Sequence, residues 1–124
     1  MTTLLHAHLQ LTTVDAEDRL RIEIEGDLDF GTADFLLETV STQLAARPEL
    51  NHLHLHCAGL GMADSMGLSS LLMIRRRTSA AGVQLHLDDR PESLDRVLEI
   101  TGTFEHLTGA SPTASTESST IDGA

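Results

Sequence analysis

The chain has 124 residues, enough for one domain with a single layered core. Its 40% hydrophobic and 22% charged content is typical of globular proteins, and its formal net charge of -11 argues against nucleic acid as a partner. We expect no membrane association and a cytoplasmic location, because no apolar run could span a bilayer and no basic region precedes an apolar stretch at the N-terminus.

Two strands and a helix are predicted in the first half of the chain. Apolar and polar residues alternate around Ala7–Leu11 and again around Leu20–Ile24, with a turn at residues 15–18 between them. The short connection favours an antiparallel pair. From Thr32 to Ala46 the apolar residues follow helical spacing, and Arg47-Pro48 ends that segment.

Strands and helices alternate in the second half. The patterns predict strands over 53–57 and 83–87 and helices over 65–81 and 91–100. A short turn containing Phe104 and Leu107 follows the last helix.

The order of these elements predicts an α/β fold. We expect a mixed sheet of about four strands, with the helices packed mainly on one face, because alternating strands turn only one face to the core. Residues 1–107 form one domain in this interpretation. Residues 108–124 are rich in Ser and Thr, almost without bulky apolar side chains, and are expected to be a disordered tail.

The segment Ala63-Asp64-Ser65-Met66-Gly67 sets a carboxylate and a hydroxyl where a helix begins. One interpretation is a helix cap, in which Asp64 accepts a hydrogen bond from the first turn. A second is the nucleophile elbow of serine hydrolases, with alanine at its first glycine, although the chain lacks room for that large fold. A third is a phosphorylation site, because the unpaired N–H groups of a helix N-terminus favour an anion.

Three motifs together resemble the STAS-domain anti-sigma factor antagonists of bacteria. They are Gly26-Asp27-Leu28-Asp29 followed by Thr32-Ala33, then Asp64-Ser65-Met66-Gly67-Leu68, and then the segment from Pro91 to Gly102. The resemblance runs from about Leu5 to Leu107 and implies a single STAS domain that is not an enzyme. It also implies a partner that is both an anti-sigma factor and a serine kinase. The unphosphorylated antagonist binds this partner so that a sigma factor is released.

The resemblance further implies that the kinase phosphorylates Ser65 and that a serine phosphatase removes the phosphate. Asp64 would orient the free hydroxyl, and no catalytic residue, cofactor or metal of the chain's own is expected. The expected partner-binding residues surround the start of the second helix: Asp29, Thr32, Met62, Asp64, Ser65, Met66, Gly67 and Leu68. Two alternatives stay open, a STAS scaffold or sensor module whose Ser65 is never modified and a small serine hydrolase.

Histidines line one side of the third predicted strand. His52, His54 and His56 alternate there, and His86 falls on the following strand. A metal site or pH sensor is one interpretation, but no carboxylate or cysteine completes a defined ligand spacing, so exposed strand residues are favoured. The single cysteine, Cys57, cannot form an internal disulfide and is interpreted as a small buried hydrophobe.

Overall fold

A computed structural model describes residues 1–103, 105 and 107 of the chain. Within them lie β1 (Thr2–His6), β2 (Leu9–Asp15), β3 (Arg19–Leu28), α1 (Ala33–Ala46), β4 (His52–Ala63), α2 (Ser65–Ala80), β5 (Gln84–Asp88) and α3 (Glu92–Ile100). The strands form one sheet in the order β1-β2-β3-β4-β5. β1 pairs antiparallel with β2, and β2 pairs antiparallel with β3, whereas β3, β4 and β5 run parallel to one another. The predicted mixed α/β architecture is confirmed.

The sheet has five strands among the described residues, so the prediction of about four is corrected. The alternation around Ala7–Leu11 predicts one strand, but the chain turns at Ala7 and His8 and forms β1 and β2 on either side. Ala7 has a φ of 54°, a left-handed conformation that is uncommon for alanine and that its sequence does not signal. All of β1 is exposed, so no buried face imposes a pattern on it.

One aliphatic core lies between the helices and a single face of the sheet. Along β3, Leu20, Ile22 and Ile24 are buried, while Arg19 and Arg21 on the other face are exposed. The helices add buried side chains to the same cluster, among them Leu36, Val40, Leu71, Ile74, Leu94 and Leu98. Burial of each such side chain contributes about 1.5–3 kcal/mol. The prediction that the helices pack on one face therefore holds.

The helices begin and end within one residue of their predicted bounds. Gly82 and Gly102 follow α2 and α3 with a φ of +74°, the left-handed conformation that commonly ends a helix. Among the described residues, no helix is both long enough and apolar enough to cross a membrane. Phe104 of the predicted last turn and the predicted tail at 108–124 lie outside the described residues, whereas Leu107 is buried in the core.

β4 extends well beyond its predicted end at Cys57 and leads directly into α2. Two glycines in the added part of β4 allow it to continue pairing with β3. A Cβ atom at Gly59 would lie 2.8 Å from the carbonyl oxygen of Ile24, and one at Gly61 would lie 2.6 Å from Oδ1 of Asp27. The register of β3 and β4 shifts along this stretch, and the absence of side chains lets the two strands stay close.

Candidate partner-binding site

Asp64 builds the start of α2. Its Oδ1 accepts a hydrogen bond from the N–H of Gly67 at 2.9 Å, and its carbonyl oxygen accepts one from Leu68 at 2.8 Å. Its own N–H donates to the carbonyl oxygen of Leu28 at 3.2 Å, which ties the helix to the end of β3. The helix-cap interpretation is confirmed.

The expectation that Asp64 orients the hydroxyl of Ser65 stays a prediction. The carboxylate of Asp64 is turned to the N–H of Gly67, and no hydrogen bond among the described residues joins it to Ser65. Ser65 is the first residue of α2 and is exposed. Its hydroxyl therefore stands at the positively polarised end of a helix whose first turn contains no acidic residue.

Gly67 and Leu68 are buried beneath this exposed turn. A Cβ atom at Gly67 would lie only 2.2 Å from the carbonyl oxygen of Leu28, so α2 begins in direct contact with the end of β3. Leu68 is 8% exposed and belongs to the core. Both residues were predicted to belong to the binding surface. They do not face solvent, and they instead hold the first turn of α2, which carries Ser65, against the sheet.

The loop between β3 and α1 is held by side-chain hydrogen bonds. The hydroxyl of Thr32 accepts from the N–H of Asp29 at 2.9 Å and donates to the carbonyl oxygen of Asp27 at 2.8 Å. The carboxylate of Asp29 accepts from the N–H of Gly31 at 3.0 Å and contacts Nε2 of His8 at 2.8 Å. Thr32 is fully buried, so it too supports the predicted surface from below.

Asp29 is the charged residue of this loop. Burial acts to raise its pKa, but the hydrogen bonds from His8 and Gly31, the charge of the imidazole and the hydroxyl of Thr32 together outweigh it. The pKa of Asp29 is therefore lower than its ordinary value. The loop consequently presents a carboxylate rather than a neutral acid near pH 7.

Three apolar side chains are exposed on the segments that meet at this site. Phe30 in the loop is 79% exposed, Met62 near the end of β4 is 48% exposed, and Met66 in the first turn of α2 is 43% exposed. The pairing of Leu28 with Ala63 brings the loop and the end of β4 together. Phe30 was not among the residues predicted for the binding surface. Its position offered a signal, because a phenylalanine in a loop segment without helical or strand periodicity has no predicted core to enter.

The histidine row on the open face of the sheet is hydrogen-bonded rather than free. Nδ1 of His54 lies 2.7 Å from Oδ2 of Asp88, and Nε2 of His56 lies 2.7 Å from Oδ2 of Asp89. Neither carboxylate was predicted as a histidine partner, because these pairs join β4 to residues at and just after the end of β5. Within the described part of the chain, no three His, Cys, Asp or Glu side chains are arranged to hold a metal ion.

His86 completes this row from β5. Its Nε2 lies 3.1 Å from Nδ1 of His52, and its ring stacks on that of His54 with the centroids 4.2 Å apart. Burial lowers the pKa of His86, and positive charge on His54 and His52 lowers it further. The folded protein thus favours the neutral form of this imidazole.

Cys57 plays no part in either arrangement. It is buried in the core, and its thiol donates to the carbonyl oxygen of Leu55 at 3.4 Å. Burial raises its pKa to about 12, so the thiolate is disfavoured. Its interpretation as a buried hydrophobe is confirmed.

The fold and the site together define a small α/β domain, with an exposed serine at a capped helix start and exposed apolar side chains on the adjoining segments. The chain belongs to the STAS domain family, whose model matches residues 10–119. The resemblance found in the three motifs is thereby confirmed at the level of the family.

Solved structures share this fold. An anti-sigma factor antagonist from Mycobacterium paratuberculosis has a TM-score of 0.69 and 17% identity, with 84% of this chain and 86% of that chain covered. SpoIIAA, a Bacillus cell fate determinant, is similar in its unphosphorylated form, with a TM-score of 0.60, 18% identity and coverage of 74% and 82%. The phosphorylated form of SpoIIAA has a TM-score of 0.62 and 18% identity, and the match covers 81% of this chain and 87% of that chain.

The protein Mglu contains a similar domain within a much longer chain. The TM-score is 0.57 at 23% identity, and the match covers 65% of this chain but only 19% of Mglu. The fold therefore occurs both as most of a small protein and as a module of a larger one.

Proposed function

We propose that the chain is an anti-sigma factor antagonist that binds a kinase-type anti-sigma factor and so releases a sigma factor. Phosphorylation of Ser65 ends the interaction, and a serine phosphatase restores it. The observation that carries this proposal is the exposed hydroxyl of Ser65 at the first position of a helix capped by its neighbour. The fold shared with SpoIIAA, known in unphosphorylated and phosphorylated forms, supports it.

The proposed switch works through the surface. A phosphate adds about -1.5 to -2 charges and considerable bulk at one point. Met66 is exposed beside that point, and Phe30 and Met62 are exposed on the adjoining segments. A partner that covers these apolar side chains would have to desolvate the phosphate, which is unfavourable without a matching cation.

The predicted binding residues divide into two groups in this proposal. Asp29, Met62, Asp64, Ser65 and Met66 reach the surface and contact the partner. The buried residues shape that surface from below: Thr32, Gly67 and Leu68. The protein acts in the cytoplasm without a cofactor and catalyses no reaction itself.

A serine hydrolase is disfavoured by the contacts of the described histidines, of which His6 lies against the ring of Phe35. His8 pairs with Asp29, and the histidines of β4 and β5 engage acidic residues or one another. None of these contacts supplies Ser65 with a general base. A scaffold or sensor module remains the second candidate function, because the same fold forms one part of the longer Mglu chain.

The proposal is tested with kinase-type anti-sigma factors from the source organism. Calorimetry should show that Ser65→Ala binds like the wild type, whereas Ser65→Asp binds about 100-fold more weakly, as expected when a charge is forced into an interface. Ser69→Asp is the matched control, because Ser69 is exposed on the same helix. Equal binding by the wild type and both Ser65 variants would refute the switch.

Mass spectrometry after incubation with ATP and the kinase separates the two candidate functions. Phosphate on Ser65, absent from Ser65→Ala, is expected of the antagonist. A partner that binds tightly yet never modifies Ser65 would favour the scaffold instead.

A further inference from the structure

We propose that two copies of the chain associate through β1. In this arrangement the free edge of β1 pairs antiparallel with β1 of the second copy, and the two five-stranded sheets become one continuous sheet. The proposal does not rest on the function proposed above, since none of the residues assigned to that function lies in β1.

Among the described residues, β1 is an edge strand that no other segment pairs with on its outer side. It lies at one end of the sheet with β2 as its neighbour, and all its residues are exposed, with Leu4 at 39% and Leu5 at 70%. It pairs with β2 without a register shift from Thr2 to His6. Proteins usually guard such an edge with lysine, proline, a bulge or an inward charge, and β1 contains none of these.

The charge distribution favours a second copy as the occupant. Two chains that each carry a formal charge of -11 repel one another over most of their surface. β1 has no Asp, Glu, Lys or Arg, whereas β5 at the opposite edge contains Asp88. Pairing through β1 therefore sets no acidic or basic side chain of one edge strand against that of the other copy.

The sequence of β1 is also self-complementary. An antiparallel pair centred on Leu4 places Leu4 opposite Leu4 of the second copy and Thr3 opposite Leu5. It places Thr2 opposite His6. Apolar and β-branched residues directly opposite one another stabilise such pairs.

A groove on the helix side of β1 fits this arrangement. Leu4 pairs with the buried Leu11 and so points toward the helices. Beside it lies a cavity of about 330 Å³, lined by Leu4, Phe35, Glu38, Thr39, Thr42 and Gln43. A leucine added at the edge would cover the exposed parts of Leu4 and Phe35.

Sedimentation equilibrium of the full chain tests the proposal. One pair of short strands buries less than the about 800 Å² per partner of a standard interface, so we expect a weak dimer with a dissociation constant of about tens of micromolar. Leu5→Lys should weaken it at least about tenfold, because lysine blocks edge pairing. Gln84→Lys adds the same charge to β5 at the opposite edge and should dimerise like the wild type.

A cysteine substitution tests the register. Residues directly opposite in an antiparallel pair have Cα atoms about 4.5–5.5 Å apart, which suits a disulfide. Leu4→Cys should therefore yield a disulfide-linked dimer on mild oxidation, whereas Gln84→Cys should not. A wild type that stays monomeric at about 500 μM, a Leu5→Lys variant that dimerises normally, or no cross-linking of Leu4→Cys would each overturn the proposal.

Discussion

Replacing Gly67 by alanine tests how α2 is seated on the sheet. The new Cβ would lie 2.2 Å from the carbonyl oxygen of Leu28 and 3.0 Å from its carbonyl carbon. That carbonyl group cannot turn away without losing its hydrogen bond from the N–H of Asp64. The first turn of α2 must therefore move, and overpacking of this kind costs about 1–3 kcal/mol, here toward the upper end because the obstacle is backbone.

Alanine also favours the helix over glycine by about 1 kcal/mol, which offsets part of this cost. We expect the free energy of unfolding of Gly67→Ala to fall by about 2 kcal/mol, equivalent to a decrease of about 10 °C in Tm for a domain of this size. Urea denaturation followed by circular dichroism measures the change. The displaced turn carries Ser65, so any phosphorylation of this residue should slow as well.

Gly31→Ala is the matched control for this prediction. A Cβ at Gly31 would lie 3.6 Å from Oδ1 of Asp29 and 4.0 Å from Cε1 of His8, which are ordinary contacts. Its free energy of unfolding should stay within about 0.5 kcal/mol of the wild type. If Gly67→Ala proves as stable as Gly31→Ala, the close seating of α2 on β3 is wrong.

Three further outcomes test the cap, the core and the open face. Asp64→Ala should lower the free energy of unfolding by about 1 kcal/mol, whereas Asp64→Asn retains a capping oxygen and should not; urea denaturation distinguishes them. Cys57, with its pKa raised to about 12, should react with a thiol reagent only after denaturant is added, and rapid labelling of the folded protein would contradict its burial. Because the pKa of His86 is lowered on folding, the unfolded chain takes up this proton first as the pH falls below 6.5, and stability is lost. Between about pH 7 and about pH 5, the free energy of unfolding should therefore decrease less for His86→Gln than for the wild type. Urea denaturation at each pH measures this decrease.

The helices were predictable because their signals are local. Asp64 before α2, Pro91 before α3 and the glycines after both act within one turn of the helix they bound. β1 was not predictable in the same way. Its pairing with β2 depends on a turn at Ala7 without glycine or asparagine, and an edge strand exposed on both sides carries no period.

In the candidate site, too, the features set by neighbouring residues were predictable and those set by distant contacts were not. Asp64 and Ser65 are neighbours in sequence, so their place at a helix start followed from the pattern alone. The burial of Thr32 and the exposure of Phe30 arise from how the loop folds back on itself. The hydrogen bond between His54 and Asp88 requires the parallel register of β4 and β5, which no local pattern encodes.

The separation of the cap from the hydroxyl explains how a switch at Ser65 would change binding without changing the fold. The oxygen of Asp64 that holds the helix start is bonded to Gly67, so a phosphate on Ser65 displaces no hydrogen bond of the described structure. The helix N-terminus favours an anion there by about 0.3–1 kcal/mol, and a carboxylate about 4 Å away in water would repel each unit of its charge by about 1 kcal/mol. In the free domain these two effects oppose one another and are both small. In the proposed complex, a docked partner would remove the water that screens the repulsion and would leave the phosphate among apolar side chains, so most of the cost of the modification would fall on the complex.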